Sequence, residues 1–133
     1  MRSRQGKVLV VDDLPDVRMT LSGLLCDEGY AVRSASSRYE ALRIVDVEYF
    51  DVAVLDVRLE ETDEDNRDGL LLMHEIKGKN PAIAIIILTG HASVEMVREA
   101  LEPDEKGMSS AFEFLEKAEV YSLTECVRRA VER

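Results

Sequence analysis

The sequence predicts an α/β fold in which helices cover both faces of a doubly wound, parallel sheet. Short apolar runs, many of them β-branched, alternate along the chain with segments whose apolar residues recur at helical spacing. The alternation repeats five times, and parallel strands need such crossover segments between them. The length of 133 residues suits one domain.

Five runs have the length and composition of strands. They lie at residues 7–11, 30–33, 52–55, 83–88 and 112–115. The fourth run is almost entirely Ile and Leu, which is typical of a strand that is buried on both faces of a parallel sheet. We therefore expect five strands, with the fourth near the middle of the core.

The segments that follow the runs have the apolar spacing of helices that are buried on one side. Their apolar positions are Val17, Leu21, Leu24 and Leu25, then Ala41, Ile44 and Val45, then Leu72 and Ile76, then Val94, Val97 and Leu101, and finally Leu123, Val127 and Ala130 or Val131. Pro15 suits the first turn of the first helix, and Gly29 suits its end. One helix is thus expected after each strand.

Composition excludes several classes of protein. The chain has 17 basic and 27 acidic residues, a net charge of −10, which disfavours a nucleic-acid surface because phosphate backbones bind Lys and Arg. No apolar run approaches the roughly 18 residues of a membrane span, and none follows the N-terminus as in a signal peptide. Cys26 and Cys126 lack metal-type spacing and are expected to be reduced thiols. We expect a cytoplasmic protein without direct nucleic-acid or membrane contact.

Polar side chains that suit a phosphoryl site follow four of the predicted strands. Asp12 and Asp13 follow the first strand, Asp56 ends the third, Thr89 ends the fourth and Lys117 ends the fifth. In an open parallel sheet, ligands bind beyond the carboxyl ends of the strands, where the strand order reverses. Each residue alone also has an ordinary reading, as a helix cap, a turn residue or a solvated charge.

The combination predicts metal-assisted phosphoryl chemistry. Three neighbouring carboxylates raise one another's pKa values unless a cation lies among them, and Mg²⁺ prefers such oxygen ligands. Lys117 and Thr89 would supply a positive charge and a hydroxyl group to phosphoryl oxygens. An aspartate beside Mg²⁺ can attack phosphorus and form an acyl phosphate.

Taken in order, the motifs resemble the receiver domain of two-component response regulators, over essentially the whole chain. The matching segments are VLVVDD at 8–13, VLDVRL at 54–59, DG at 68–69, ILTGHA at 87–92 and FEFLEK at 112–117. The resemblance implies one receiver domain over residues 1–133, in the CheY-like superfamily. It also implies a (βα)5 flavodoxin-like fold, with five parallel strands in the order 2-1-3-4-5.

Position by position, the resemblance makes Asp56 the phosphoacceptor. It implies that Asp13 binds Mg²⁺ directly and that Asp12 acts mostly through water. Asp56 itself and the backbone carbonyl of Arg58 complete the protein ligands.

The resemblance also assigns the residues that respond to phosphorylation. Lys117 pairs with the phosphoryl group, and Thr89 turns its hydroxyl group toward it after transfer. Phe114 matches the aromatic residue that switches between exposed and buried states, although a simple core or edge aromatic is the alternative. Arg58 and His91 occupy positions that flank the hydrolytic water in similar proteins, and their influence on phosphate lifetime is left open.

One departure from the family pattern lies beside the predicted lysine. Lys117 is followed by Ala118, where the family has a proline whose peptide bond is commonly cis. Because a cis bond before a residue other than proline costs about 3–4 kcal/mol, we expect a trans bond and a rearranged loop.

Two connections, residues 60–68 and 102–110, are longer than the usual loop of about 2–6 residues. The first is strongly acidic, and the second lies on the face with which such domains meet partners. Residues 64–75 nearly fit the ligand spacing of an EF-hand loop. A plain loop is favoured, because the segment follows a strand and residues 70–76 are needed as a helix.

The leading functional hypothesis is a phosphorylation-controlled switch. A sensor histidine kinase or phosphotransfer protein would donate a phosphoryl group to Asp56, with Mg²⁺ as cofactor. Thr89 and Phe114 would then alter the surface of the fourth predicted helix, the fifth strand and the last helix, which a downstream output domain or protein reads. The domain takes part in its own phosphoryl transfer and dephosphorylation and is not expected to be an enzyme otherwise.

Two other hypotheses remain. A pseudo-receiver would act as a phosphorylation-independent interaction module; Ala118 and the long loops favour it, and the intact site residues disfavour it. A phosphohydrolase with an aspartyl nucleophile typically needs a second aspartate two positions later, where Arg58 stands. Whether the receiver stands alone or belongs to a longer regulator, and whether it forms a homodimer, stays open.

Overall fold

The computed structural model describes residues 6–57, 68–89, 113–116 and 122–132. The strands are Lys7–Val11 (β1), Ala31–Ala35 (β2), Val52–Val57 (β3), Ala84–Thr89 (β4) and Glu113–Glu116 (β5). The helices in this part of the chain are Pro15–Asp27 (α1), Arg38–Val47 (α2), Asp68–Lys79 (α3) and Leu123–Glu132 (α4). The fourth predicted helix, around residues 94–101, lies outside the described residues.

The strands form one parallel sheet in the order β2-β1-β3-β4-β5. The parallel α/β class predicted from the sequence is therefore confirmed. Strand order reverses between β1 and β3, and in an open sheet this is the place where a ligand site is expected. The pairing of β1 with β3 runs from Val8 beside Val52 to Val11 beside Leu55.

The sheet separates two hydrophobic cores. One core contains residues of α2 and α3 together with Leu9, Val11, Ala53, Leu55, Ile85 and Ile87. The other contains residues of α1 and α4 together with Val8, Val10, Val52, Val54, Ile86 and Leu88. Successive residues of β4 thus alternate between the cores, which confirms that the fourth apolar run is buried on both faces.

The first helix begins and ends as its sequence predicts, but one of its apolar positions is not buried. Pro15 is its first residue, and Gly29 has a φ of 94°, a left-handed conformation that suits glycine after a helix. Leu21 and Leu25 are buried, whereas Leu24 is 37% exposed, so the prediction for Leu24 was wrong. Leu24 lies at the edge of the apolar stripe, because three residues advance a helix by less than one full turn.

Several strand ends differ from the predicted ones. The second strand is Ala31–Ala35 instead of residues 30–33, because the Tyr30 N–H donates to the Leu25 carbonyl at the end of α1. The third and fourth strands continue to Val57 and Thr89, which pair with each other. The fifth strand is Glu113–Glu116 instead of residues 112–115.

The two cysteines differ in exposure, and no disulfide joins them. Cys26 is exposed and Cys126 is buried. Among the helices that the structure describes, none is long and apolar enough to cross a membrane.

Candidate functional site

The end of β1 presents two acidic residues in different surroundings. Asp12 is only 2% exposed, whereas Asp13 is exposed. The Asp12 N–H donates to the Ala35 carbonyl at 3.1 Å, which continues the ladder between β1 and β2. One carboxylate oxygen of Asp12 accepts the Leu14 N–H at 2.8 Å. Asp12 therefore has the role of a turn residue, which is one of the ordinary roles of an aspartate after a strand. It also lies at the carboxyl end of β1, at the edge of the sheet where the site is predicted.

A basic residue on α1 also contacts this turn. The Nη1 atom of Arg18 donates to the backbone carbonyl of Asp12 at 2.8 Å. The Arg18 N–H donates to the Leu14 carbonyl at 3.0 Å, in the first turn of the helix. The sequence did not single out Arg18, because a lone arginine near the start of a helix looks like a solvated surface charge.

The strand register carries Asp56 toward this acidic pair. The pairing of β1 with β3 ends with Val11 beside Leu55, and the residues that follow this pair in the two segments are Asp12 and Asp56. Neighbouring strands lie about 4.8 Å apart, which sets the backbone spacing of the two residues. Asp56 is the next-to-last residue of β3 and pairs with Leu88, whereas the sequence placed it at the strand's end.

The other predicted switch positions lie on the two strands beyond β3. Thr89 ends β4, where it pairs with Val57 of β3 and Glu116 of β5. Phe114 lies in β5 beside Ile87 of β4. The side chains of Asp56, Thr89 and Phe114 lie outside the part of the chain that the structure describes. Four whole residues of the predicted site or its loop also lie outside it: Arg58, His91, Lys117 and Ala118.

The donor set at this edge fits a hard divalent cation. Asp12, Asp13 and Asp56 offer carboxylate oxygens, the ligands that Mg²⁺ prefers. Among the side chains that the structure describes, which exclude that of Asp56, no group of three His, Cys, Asp or Glu could hold a metal ion. The strand register supports Asp56 as the third member of the set.

The EF-hand alternative for residues 64–75 is wrong, and the favoured reading of residues 70–76 as a helix is confirmed. Helix α3 begins at Asp68, so the last two thirds of that segment are helical instead of wrapping around an ion. Glu75, which would be the last ligand of such a loop, accepts a hydrogen bond from Nε of Arg38 at 2.8 Å. Its carboxylate thus links α3 to α2.

Comparison with known proteins identifies relatives along most of the chain. The family model described as "Response regulator receiver domain" matches residues 8–123. The transcriptional regulatory protein ZraR of Escherichia coli is 41% identical over 95 residues, which are 71% of this chain and 20% of ZraR. The chain spans about a fifth to a quarter of the length of the curated relatives it matches.

Solved structures of response regulators are also similar to this chain. A response regulator receiver domain protein from Clostridium thermocellum is 30% identical, with a TM-score of 0.75, and the match covers 97% of this chain and 96% of that one. TrrA, a response regulator of Thermotoga maritima solved in complex with Mg²⁺-BeF, is 26% identical, with a TM-score of 0.71. That match covers 95% of this chain and 99% of TrrA.

Proposed function

This chain belongs to the receiver domain family of response regulators, and from that premise we propose that it takes a phosphoryl group onto Asp56 and relays it as a change of surface. The observation that carries the proposal is the strand register. The pairing of β1 with β3 ends at Val11 beside Leu55, so the next residues are Asp12 and Asp56, with Asp13 after Asp12, where the strand order reverses. Asp56 is the one aspartate within the five described strands.

The phosphoryl donor is a phosphohistidine of a sensor histidine kinase or a phosphotransfer protein. A carboxylate oxygen of Asp56 attacks the phosphorus atom, and a phosphorus–oxygen bond forms while the phosphorus–nitrogen bond breaks. The bonding electrons leave with the imidazole, and the product is an acyl phosphate on Asp56.

Asp12, Asp13, Asp56 and the backbone carbonyl of Arg58 would hold Mg²⁺. The bound ion supplies positive charge that offsets the repulsion between the carboxylates and the phosphoryl oxygens. The exposed Asp13 would bind the ion directly, and the buried Asp12 would act mostly through water. The Mg²⁺-BeF complex of TrrA supports the choice of cation.

Three residues convert the modification into a signal. Lys117 pairs with the phosphoryl group, and Thr89 donates its hydroxyl hydrogen to it after transfer. Phe114 then changes position, which alters the surface made by residues 94–101, β5 and α4. The change is a population shift between two existing states of the domain.

The biological setting follows from the relatives. ZraR and GlrR are named as transcriptional regulatory proteins, and the match to this chain covers only 20% of ZraR and 24% of GlrR. We place the chain in the cytoplasm as the receiver of a two-component system, acting on an output domain or protein that it controls. It acts on no substrate other than its own phosphoryl group. Its net charge of −10 disfavours direct contact with nucleic acid, so we attribute such contact to the output part.

A phosphorylation-independent interaction module is the second candidate. Ala118 stands where the family has proline, and residues 60–68 form a long acidic connection. Both features follow residues of the proposed site closely in the sequence, and they favour a domain that kept the fold and lost the switch.

Labelling with a small phosphodonor tests the proposal. One phosphoryl group is expected to add to the wild-type chain only when Mg²⁺ is present, and intact mass measures the addition. Asp56→Asn is expected to abolish it. Asp27→Asn, which removes an exposed carboxylate at the end of α1, is the control and should label normally. Undiminished labelling of Asp56→Asn refutes the assignment.

A further inference from the structure

Four hydrogen bonds hold the turn between β1 and α1. Asp12 receives one on its carboxylate from the Leu14 N–H at 2.8 Å and one on its carbonyl from Arg18 at 2.8 Å. Its own N–H donates to Ala35 at 3.1 Å, and the Arg18 N–H donates to Leu14 at 3.0 Å. Three of the four bonds involve Asp12, which thereby joins the strand, the turn and the helix.

The contact made by Arg18 acts on the peptide that joins Asp12 to Asp13. A peptide group is planar, so a donor that holds the Asp12 carbonyl oxygen also sets the direction of the Asp13 nitrogen and Cα. Arg18 is half-buried, and within the described residues its guanidinium group forms no ion pair with a carboxylate. Its guanidinium group donates to this backbone oxygen.

We propose that Arg18 is a positioning residue for the acidic edge. By holding the Asp12 carbonyl, it orients Asp13 and so raises the affinity of the edge for Mg²⁺. The inference rests on the proposed function for the metal site. Arg18 itself contacts neither the phosphoryl group nor the ion in the proposed mechanism.

Positioning and simple charge have opposite effects, which makes the proposal testable. A guanidinium group stays protonated at every working pH. As a like charge it repels Mg²⁺, so its removal would tighten binding if charge were its main effect. If positioning dominates, removal of the guanidinium group loosens binding, because the direction of Asp13 is no longer set.

The experiment is a Mg²⁺ titration of the wild-type chain and three variants, by calorimetry or by amide chemical shifts. Arg18→Met keeps an apolar stem and removes both the donor and the charge, and we expect affinity to fall about tenfold, as for outer partners of metal ligands. Arg18→Lys keeps the charge but has a shorter reach, so a smaller loss is expected. Met19→Ala, at a side chain that is 74% exposed, is the control and should bind like the wild type.

A second measurement needs no metal. Amide hydrogen exchange of Leu14, whose N–H is held by Asp12, should become about tenfold faster in Arg18→Met than in Met19→Ala. This result would show that the turn has loosened before any ion binds. Unchanged exchange would mean that Arg18 does not hold the turn.

Unchanged or tighter Mg²⁺ binding by Arg18→Met overturns the inference. If that variant does not fold, Arg18→Lys decides, and an affinity equal to or above that of the wild type is the overturning result. A wild-type chain that binds Mg²⁺ but takes no phosphoryl group refutes the proposed function instead, and the Arg18→Met titration still tests the role of Arg18.

Discussion

Asp12 and Asp13 are neighbours in the sequence but differ in what their side chains contact. Asp12 is buried and accepts the Leu14 N–H, whereas Asp13 is exposed. A buried carboxylate that already serves the turn has less freedom to reach an ion than an exposed one. The two residues are therefore expected to contribute unequally to metal binding.

The unequal contribution leads to a prediction about stability in Mg²⁺. A ligand at a hundred times its dissociation constant adds about 2.7 kcal/mol to the free energy of unfolding. Asp13→Asn should remove most of this gain, and Asp12→Asn should remove less. Melting temperatures with and without Mg²⁺ measure both effects. If both variants respond like the wild type, the ion binds elsewhere, and the acidic residues 60–68 become the first place to look.

Two glycines provide a matched test of packing at the residue scale. A Cβ atom on Gly6 would lie 2.8 Å from Cγ2 and 3.1 Å from Cγ1 of Val131, whereas a Cβ atom on Gly23 would meet nothing within 4 Å. Gly6→Ala should lower the free energy of unfolding by about 1–3 kcal/mol, because β-branched Val131 has little room to yield. Gly23→Ala should raise it by about 0.5–1 kcal/mol, because Gly23 lies inside α1.

Urea denaturation measures both glycine variants. The double variant Gly6→Ala with Val131→Ala should lose less stability than the sum of the two single changes, because the second change relieves the clash. Equal stabilities for Gly6→Ala and Gly23→Ala would contradict the close approach of Gly6 to Val131 of α4.

At the scale of elements, ion pairs connect segments that are distant in the sequence. Glu48, which follows α2, pairs with Lys7 of β1 at 2.6 Å and with Arg33 of β2 at 3.0 Å. Two further pairs join α2 to α3, between Arg38 and Glu75 and between Lys79 and Asp46. These pairs are largely exposed, and each is expected to contribute only about 0–1 kcal/mol.

The pair of Lys7 with Glu48 makes the stability depend on pH. The hydrogen bond from Lys7 lowers the pKa of Glu48 below its ordinary value of 4.5, partial burial opposes this, and the charges of Lys7 and Arg33 add to the lowering. Because the folded pKa lies below the unfolded one, the contribution is present above pH 4.5 and is lost as the pH falls through the folded pKa.

Glu48→Gln should therefore show a shallower loss of stability than the wild type as the pH falls below about 5. Denaturation midpoints across this range measure the difference. Glu28→Gln, which removes an exposed carboxylate outside this cluster, should keep the wild-type slope. Parallel curves for the wild type and Glu48→Gln would contradict the prediction.

At the scale of the whole molecule, the sheet connects the acidic edge to the proposed switch. Thr89 of β4 pairs with Glu116, and Ile87 of the same strand pairs with Phe114. A change at the end of β4 thus reaches β5 through one ladder of backbone hydrogen bonds. Residues of β4 lie in both cores, and Leu115 of β5 lies in the core that contains α1 and α4, so a shift of β5 moves a side chain in a packed interior.

Thr89→Ala tests this connection. The variant should still accept a phosphoryl group on Asp56 but should shift the population of states less than the wild type. The lost hydrogen bond has a net value of about 0.5–1.5 kcal/mol, which changes the equilibrium by about 2- to 13-fold. The measurement is the change in amide chemical shifts of β5 on phosphorylation. Full phosphorylation of the wild type without such a change would favour the interaction-module alternative.

Much of this architecture is local and can be predicted without a structure. Apolar periodicity separates strands from helices because each element buries one side or both, and that requirement acts on residues a few positions apart. The exact strand ends could not be predicted in this way. Val57 and Thr89 extend their strands because they pair with each other, and this depends on a neighbour far along the chain.

For the candidate site, the residue types after β1 and within β3 were enough to predict an acidic edge, since parallel strands place their carboxyl ends together. Only the tertiary structure decided that Asp12 is buried, that Leu24 is exposed and that Arg18 bonds to the Asp12 carbonyl. Burial and hydrogen-bond partners depend on which elements pack together, and a helical arginine has the same local pattern whether it faces solvent or a backbone oxygen. The packing of α1 against the end of β1 made that choice.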